Sequence, residues 1–499
     1  MATKTAAESG APEPGGRAAQ TGARARDDGV PLSRGNAERR EAGRAARTLS
    51  RRRAHAEWDA VGDRADVVDI LERQAESRVP SLVPVRHGRM LASPFAFYRG
   101  GAAVMAADLA ASPDSGVMTQ LCGDAHLANF GLFKTPERAL IFDLNDFDET
   151  ARGPFEWDVK RLAASFEIAT RYRGFGDDDR RAAVLAAVRA YRRTMRRLAK
   201  GRVLDSWYGR LDEGDVRTLL QKASGGRGNR RPAREAESTF ASAHEHDSVR
   251  AFSKLVHEVD GRLRFISAPP LIVPIEELPP EEGGFGPDGA DDRVAIPELL
   301  RRYHSTLASA SHPLREFTYH HLARKVVGVG SVGTRAWVVL LQGTGSGDPL
   351  LLQAKQAERS VLESGPEPPL YENNGERVVR GQRLMQAASD IFLGWQRVVR
   401  DDGSERDYYI RQLSDGKASV DMERARPAGA LIYARLCGET LARAHARAGD
   451  RLEISAYLGA RDVFDEAVAD FAARYADQND ADFEAVRQAA ASGRITASG

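Results

Sequence analysis

The sequence predicts an α+β protein of two lobes, the first mainly helical and the second built on antiparallel strands. Two stretches in the first half, 157–172 and 178–198, carry apolar residues at helical spacing. Beyond residue 325 the pattern changes to a glycine-rich segment followed by two apolar runs of strand length, 337–341 and 350–352. A helical region followed by a strand-rich region is typical of the α+β class.

Composition limits the kinds of partner. The chain has 499 residues, enough for more than one lobe, and its 72 Lys and Arg are balanced by 71 Asp and Glu. This balance points to no nucleic-acid or membrane partner. The two cysteines, Cys122 and Cys437, build neither a disulfide framework nor a zinc ribbon. Because the chain lacks a membrane-spanning apolar run and a secretory signal, we expect a cytoplasmic location.

Residues 1–55 are predicted to form a disordered basic tail. They are rich in Ala, Gly, Arg and Ser and poor in large apolar side chains. Such a segment buries too little apolar surface to offset its chain entropy. Its arginines can contact nucleic acid or another acidic partner, but a solvated tail is the simpler interpretation.

The catalytic region is predicted to span 56–320. Segment 224–245 is polar and is expected to be a loop or a weak helix. Segment 269–292 is rich in Pro, Gly and acidic residues and is expected to be a linker. Helices are predicted at 66–76, 99–111, 157–172, 178–198 and 296–309, and strands at 117–121 and 140–144.

A strand-rich region is predicted over 321–415, followed by C-terminal helices over 416–499 that pack on the catalytic region. The glycine-rich segment from Val326 to Gly333 is expected to form a turn in front of an antiparallel set of strands. The remaining elements are a helix at 377–393, a strand at 408–413, and helices at 428–446 and 463–475.

Both predicted strands of the catalytic region end in acidic residues. Strand 117–121 leads to Asp124 and, five residues later, to Asn129, and strand 140–144 leads to Asp146. Phosphoryl transfer from ATP needs a carboxylate near the incoming hydroxyl, and carboxylate and amide oxygens that hold Mg²⁺ on the phosphates. The pattern predicts Asp124 as the group that orients the acceptor hydroxyl and takes its proton. Asn129 and Asp146 are the predicted magnesium ligands.

Segment 123–129, Gly-Asp-Ala-His-Leu-Ala-Asn, resembles the catalytic loop of aminoglycoside phosphotransferases and choline-kinase-like enzymes, His-Gly-Asp-x-His-x-x-Asn. Cys122 stands where that family usually has His. Asp146 resembles the first Asp of the family's metal-binding segment, and Asp158 resembles a structural Asp that braces the catalytic loop. The resemblance implies a protein-kinase-like fold of two lobes, with ATP and Mg²⁺ as cofactors.

The strand-rich region carries a second resemblance to kinases. Gly328-x-Gly330-x-x-Gly333 resembles the kinase loop that covers the phosphates, where the backbone must approach them closely. The same pattern can mark a Rossmann turn, but here a strand follows it and not a helix. Lys355 ends the next strand and matches the kinase lysine that pairs with the α- and β-phosphates.

The order of these motifs is reversed relative to ordinary kinases, in which the glycine loop and the lysine precede the catalytic loop. Here Asp124 precedes Gly328, so we expect a circularly permuted kinase-like fold, with the catalytic lobe first and the glycine-rich lobe second. Helix 436–445 resembles the helix directly before the catalytic loop of aminoglycoside kinases. Its place near the end of the chain supports the permutation.

Several side chains keep two interpretations. The acidic partner of Lys355 is predicted on the following helix as Glu376, with Glu358 as the alternative, and Lys355 can instead be a solvated lysine. Asp143 and Asp148 fit either further metal ligands or turn residues.

Three basic side chains and one cysteine near the acidic turns are also open. His126 can be a ligand or base, although a structural role is favoured. Arg89 and Arg99 flank an aromatic cluster and can bind an anionic substrate, although structural ion pairs are favoured. Cys122 fits a buried small residue better than a nucleophile.

The chain from about residue 60 onward also resembles the DUF2252 family of bacterial proteins, a name that carries no assigned reaction. The matching stretches are 89–99, 121–149, 325–355, 377–395 and 441–450.

The predicted function is transfer of the γ-phosphate of Mg-ATP onto a hydroxyl. By analogy with aminoglycoside and choline kinases, we expect a small-molecule acceptor and not a protein. One alternative is AMP transfer with ATP bound in the flipped orientation, and another is a regulatory module that binds nucleotide without turnover. A third is a metal-dependent hydrolase that uses Asp124, His126, Asp143 and Asp146. The sequence indicates no oligomeric state.

Overall fold

Helices and strands both contribute to the fold, which confirms the predicted α+β class. The computed structural model describes residues 34–58, 64–223, 240–241, 248–279, 282, 292–309, 311–326, 328–345, 347–363, 368–399, 403–413, 418, 422 and 425–498. Within these ranges, no helix combines the length and apolarity needed to cross a bilayer.

The helices are α1 Asn36–Leu49, α2 Val67–Ala75, α3 Val83–Met90, α4 Pro94–Gly100, α5 Ala102–Ala110, α6 Glu156–Tyr172, α7 Asp177–Leu198, α8 Val203–Tyr208, α9 Glu213–Ala223, α10 Ser248–Leu255, α11 Asp292–His304, α12 Asn374–Met385, α13 Pro427–Ala448, α14 Arg451–Leu458 and α15 Val463–Ala491. The strands are β1 Met118–Leu121, β2 Phe130–Lys134, β3 Leu140–Leu144, β4 Ala151–Pro154, β5 Val256–Val259, β6 Arg262–Phe265, β7 Ile272–Pro274, β8 Thr318–Lys325, β9 Ala336–Gln342, β10 Pro349–Ala357, β11 Gly394–Val399 and β12 Glu405–Gln412.

The largest sheet has six strands in the order β11-β12-β10-β9-β8-β7. Every neighbouring pair in it is antiparallel. The glycine-rich segment joins β8 to β9, which confirms the predicted antiparallel set with a glycine-rich turn at its front. Lys355 lies near the end of β10, paired with Ala336 on one side and Tyr409 on the other.

Strand β9 is apolar from Ala336 to Leu341 because both faces of the sheet are covered. Trp337 and Val339 pack with α11 on one face, whereas Val338 and Leu340 pack with α10 and the β5–β6 hairpin on the other. Successive side chains of a strand point to opposite faces, so a strand buried on both sides needs an uninterrupted apolar run.

The remaining core is mainly helical. Helix α13 packs along α7, and α15 packs against α6 and α7. Their apolar faces enclose one large cluster together with β2 and β3. Strands β1 and β4 form a separate two-stranded sheet, as do β2 and β3. These two small sheets hold the acidic turns against the helices.

The register of the β2–β3 pair brings the acidic segments together. Phe130, the first residue of β2, pairs with Leu144, the last residue of β3. Asn129 and Asn145 therefore meet just beyond the paired residues, and the Asn145 backbone N–H donates to the Asn129 carbonyl at 3.0 Å. A residue just before one strand is thus fixed beside the turn that follows the other.

The prediction of a disordered tail is wrong for residues 34–55, while residues 1–33 lie outside the described residues. Helix α1 occupies this stretch and packs on α14. Its arginines act in docking: Arg39 Nε lies 2.6 Å from Asp450 Oδ2, and Arg47 Nε donates to the Tyr457 carbonyl at 2.9 Å. Long-range bonds of this kind leave no periodic signal in the sequence.

Other boundaries also differ. Segment 269–292 is not a plain linker, because β7 pairs with β8. Helix α12 ends at Met385, before residue 393, since Gln386 adopts an extended ψ of 147°. Helix α15 continues to Ala491, well past the predicted end at 475. Most of segment 224–245 lies outside the described residues.

Candidate active site

The turn after β1 is held by the first turn of α6. Asp158 accepts hydrogen bonds from the backbone N–H of Cys122 at 2.8 Å through Oδ2 and of Gly123 at 3.1 Å through Oδ1, and His445 Nε2 lies 3.1 Å from the same Oδ2. Gly123 has a φ of +85°, and a Cβ there would lie 2.0 Å from the Glu149 carbonyl oxygen. The turn therefore needs glycine, and Asp158 braces it as predicted.

Asp124 projects from this braced turn into a partly open position. Arg161 on α6 contacts Asp124 Oδ1 through Nε at 2.9 Å and Nη2 at 2.8 Å, and its guanidinium stacks 3.8 Å above the Tyr98 ring. His126 Nε2 lies 3.6 Å from Asp124 Oδ2. Burial lowers the pKa of His126 to about 4, so its imidazole is neutral near pH 7. Among the described residues, no cation holds the Oδ2 oxygen.

Asn129 ties the two acidic turns together. Its Nδ2 donates to the carbonyl oxygens of Asp124 at 3.1 Å and Asp146 at 2.8 Å, and its Oδ1 accepts the Asp146 N–H at 2.7 Å. The Asn129 side chain is buried. One side chain thus fixes the separation of both carboxylates.

Lys355 reaches across from the six-stranded sheet. Only 3% of its side chain is exposed, and Nζ lies 3.1 Å from Asp146 Oδ2 and 2.7 Å from Asp148 Oδ2. The Tyr409 hydroxyl, on the neighbouring strand β12, donates to Asp148 Oδ1 at 2.5 Å. Lys355 is therefore an inward-facing lysine bound to the acidic turn, not a solvated one.

The prediction that Glu376 is the acidic partner of Lys355 is wrong. Glu376 lies in the first turn of α12 and pairs with Arg380, four residues along the same helix. The alternative, Glu358, accepts hydrogen bonds from Ser77 and Gln356. The lysine instead pairs with carboxylates about 200 residues earlier in the chain. This pairing is determined by tertiary packing and not by local sequence.

The glycine-rich segment closes one side of the same space. Gly328 and Gly333 have φ values of +66° and +92°. A Cβ at Gly333 would lie 3.1 Å from the Arg78 side chain, and one at Gly330 would lie 3.2 Å from the Arg99 carbonyl. The segment therefore packs against residues that precede the acidic turns in the chain.

The acidic turns and the glycine-rich segment line one cavity of about 420 Å³. Gly333 and Lys355 are not among its lining residues. Lys355 nevertheless forms ion pairs with Asp146 and Asp148, which do line the cavity. The lining residues used below are Arg78, Arg99, Asp124, His126, Asn129, Asn145, Asp146, Asp148, Glu149, Gly328, Gly330 and Arg411. A larger cavity of about 1300 Å³ lies elsewhere, between the β5–β6 hairpin, α11 and the start of β8.

Comparison with known protein families identifies the chain. A family model described as an uncharacterized protein conserved in bacteria (DUF2252) matches residues 78–489. The chain belongs to the DUF2252 family. No curated protein and no solved structure matches the chain significantly. The DUF2252 match includes both acidic turns, the glycine-rich segment and Lys355.

The cavity of this DUF2252 chain offers few oxygen donors to a metal. Across the described ranges, no group of three or more His, Cys, Asp or Glu side chains is arranged to hold a metal ion. The cavity is instead lined by the carboxylates of Asp146 and Asp148, 39% and 30% exposed, and by the side-chain amides of Asn129 and Asn145. Asn145 Oδ1 is buried and has no hydrogen-bond partner among the described residues. Such a set of hard oxygens fits Mg²⁺.

Two other sequence candidates have structural roles. Asp143 is buried outside the cavity, where it accepts the Ala387 N–H at 2.9 Å and lies 3.7 Å from Arg447 Nη2. Arg89 donates to the Gly328 carbonyl at 2.6 Å and so supports the glycine-rich segment. Neither residue offers a group to the cavity.

Sequence reasoning missed several residues of the site. Arg161 and Tyr409 belong to regular elements and contact the carboxylates only through the tertiary fold. Glu149 lines the cavity and accepts the Val361 N–H at 2.8 Å, and burial raises its pKa to about 7. The only available signal for Glu149 was its place in the acidic run after β3.

Proposed function

We propose that the chain is an ATP-dependent phosphotransferase that moves the γ-phosphate of Mg-ATP onto a hydroxyl of a small-molecule acceptor. One observation carries the proposal. Two acidic turns from the first third of the chain and a glycine-rich hairpin from beyond its midpoint line the same cavity, with an inward-facing lysine between them. These are the parts that phosphoryl transfer needs, since its catalysis is mainly positioning and charge stabilisation.

Asp124 is suited to act on the acceptor. Its Oδ1 is held by Arg161, and its Oδ2 remains to accept a hydrogen bond from the acceptor hydroxyl. As the hydroxyl oxygen forms a bond to the γ-phosphorus, the bond to the oxygen that bridges to the β-phosphate breaks and ADP leaves. The hydroxyl proton passes to Asp124. His126, whose pKa burial lowers to about 4, lies beside this carboxylate as a neutral imidazole near pH 7.

Magnesium would be held by Asp146 and Asp148 with the amide oxygens of Asn129 and Asn145. When bound, Mg²⁺ offsets the negative charge of the phosphate oxygens. Lys355 would turn its ammonium from the two carboxylates toward the α- and β-phosphates. The glycine-rich hairpin would cover the phosphates with backbone N–H groups.

The proposed fold is that of a circularly permuted protein kinase with two lobes, and the contacts of α13 support it. Gly449, just after this helix, forms a bridge to Thr119 in β1, the strand that leads into the acidic turn. His445, in its last turn, contacts Asp158, which braces the same turn. A helix near the end of the chain thus ends beside the strand that it would precede in an unpermuted kinase.

A thermal-shift titration with ATP and Mg²⁺ tests the proposal. A ligand bound only by the native state raises the melting temperature, and we expect a rise that requires both ATP and metal. Asp146→Ala should lose this rise because it removes a magnesium ligand and a contact of Lys355. Asp178→Ala, an exposed carboxylate in the first turn of α7, is the matched control and should keep it. No rise in the wild type would contradict the proposal.

Radiolabelled ATP separates the proposed reaction from AMP transfer. Label from the γ-phosphate should appear in the product, while label from the α-phosphate should stay with ADP. Transfer of α-label instead would assign nucleotidylation to the same cavity. Nucleotide binding with transfer of neither label to any acceptor would favour the regulatory module.

A further inference from the structure

Arg99 is a partly buried cation that lines the cavity. It lies in the last turn of α4, and its guanidinium makes no hydrogen bond or ion pair with any residue that the structure describes. Its Nε is buried. Burial lowers the pKa of Arg99, and the charge of Asp124 opposes this change. Keeping a charged group in such a place costs free energy unless an anion offsets it.

Three other arginines near the cavity differ from Arg99 because each has a protein acceptor. Arg161 holds Asp124 and the Tyr98 carbonyl, Arg411 donates to the Asn145 carbonyl, and Arg78 donates to the Val332 carbonyl. The structural ion pair favoured for Arg99 from the sequence is therefore not found among the described residues. Its guanidinium is free to bind a ligand.

Arg99 belongs to the acceptor end of the cavity. Arg161, which contacts Asp124 Oδ1 through Nε at 2.9 Å, also donates to the carbonyl oxygen of Tyr98, the residue before Arg99, at 2.8 Å, and the charge of Asp124 acts on Arg99. Asp146 and Asp148 instead pair with Lys355. A guanidinium presents paired N–H donors that match the two oxygens of a carboxylate or phosphate. An acidic group bound there would place the rest of its molecule beside the proton-accepting oxygen of Asp124.

We propose that Arg99 binds an anionic group of the acceptor, so that the substrate is a hydroxyl compound that also carries a phosphate or carboxylate. This proposal rests on the proposed function and names the chemical class of its acceptor. Arg78, whose Nε is also buried without a hydrogen-bond partner among the described residues, lines the same cavity and adds positive charge. Neutral acceptors, and cationic ones such as aminoglycosides, would not satisfy these two side chains.

Inorganic phosphate is the probe, and its affinity is measured by isothermal titration calorimetry on the full chain. Loss of a charge-assisted contact should weaken phosphate binding by about tenfold or more in Arg99→Gln. Arg99→Lys should give an intermediate affinity, since it keeps the charge and loses the paired donors. Arg73→Gln, an exposed arginine on α2 outside the cavity, should leave the affinity unchanged.

Lys355→Met shows which end of the cavity takes the phosphate. Binding that survives Lys355→Met and is lost in Arg99→Gln supports the proposal, whereas the reverse pattern places the anion at the nucleotide end and overturns it. Equal affinity in all variants, or no binding by the wild type, also overturns it. The Mg-ATP thermal shift of Arg99→Gln reports the proposed function separately, because that shift should be retained and confirms that the variant is folded.

Discussion

At the residue scale, the cavity combines charged groups whose protonation is set by burial. Glu149 is buried at the edge of the cavity, and desolvation raises its pKa from an ordinary value of 4.5 to about 7. Its Oε2 accepts the Val361 N–H, and its carbonyl oxygen accepts the Ser360 hydroxyl. Glu149 thus joins the acidic turn to the segment after β10, and its charge state affects the stability of that junction.

Glu149→Gln should change how stability depends on pH. The raised pKa means that the folded protein binds the Glu149 proton more tightly than the unfolded chain does. The resulting stabilisation is complete below about pH 4.5 and disappears as the pH rises through about 7. As the pH rises from 5 to 8, the wild type should therefore lose about 2 kcal/mol in its free energy of unfolding. The variant lacks this loss, so it gains that amount relative to the wild type. Urea unfolding at several pH values measures this gain, and a difference independent of pH would contradict it.

At the scale of elements, one carboxylate in α6 supports the turn that carries Asp124. Asp158 accepts two backbone N–H groups, and both its side chain and that of His445 are buried. The turn cannot satisfy these donors by itself, because Gly123 holds a backbone conformation that points them at the helix. The geometry of the acidic turn therefore depends on the position of α6.

Removal of this carboxylate should be costly. Asp158→Ala leaves two backbone donors without an acceptor, and we expect a loss of about 3 kcal/mol in the free energy of unfolding. Asp158→Asn keeps one acceptor oxygen and should lose less. Urea denaturation provides both values, and a loss below about 1 kcal/mol for the alanine variant would mean that the turn is held by other contacts.

Elements with strong local signals were predictable from the sequence. Strand 140–144 and helices 157–172 and 178–198 were predicted to within about one residue, because apolar spacing fixed which face of each is buried. Helix α1 was missed because its burial depends on arginine contacts to α14 and the residues beside it. Its sequence, poor in large apolar residues, resembles that of a solvated tail.

At the scale of the whole molecule, local patterns found the parts of the site but not all of their pairings. Asp124, Asn129, Asp146 and the glycine-rich segment meet in one cavity, as their motifs suggested. The acidic partner of Lys355 was wrongly placed on the next helix, because the carboxylates that meet the lysine come from a turn about 200 residues earlier. Only the packing of the six-stranded sheet against the acidic turns determines that pairing.

The ion pairs of Lys355 predict coupled binding of metal and nucleotide. A cation can occupy Asp146 and Asp148 fully only when the ammonium withdraws, and in the proposed function the phosphates of a nucleotide would bind the ammonium instead. Each ligand should therefore raise the affinity for the other by the same factor. We expect a non-hydrolysable ATP analogue to tighten Mn²⁺ binding by about tenfold in the wild type, which corresponds to about 1.4 kcal/mol of coupling.

Lys355→Met should bind Mn²⁺ more tightly without nucleotide and gain little from the analogue. Electron paramagnetic resonance of free Mn²⁺ measures both affinities, and an equal gain in the two proteins would contradict the coupling. Without ligands, the charge of the acidic turn is offset by Lys355, a cation of the chain itself, which a metal ion must displace. Under the proposed function, such a site would disfavour free divalent ions and would bind them together with a polyphosphate.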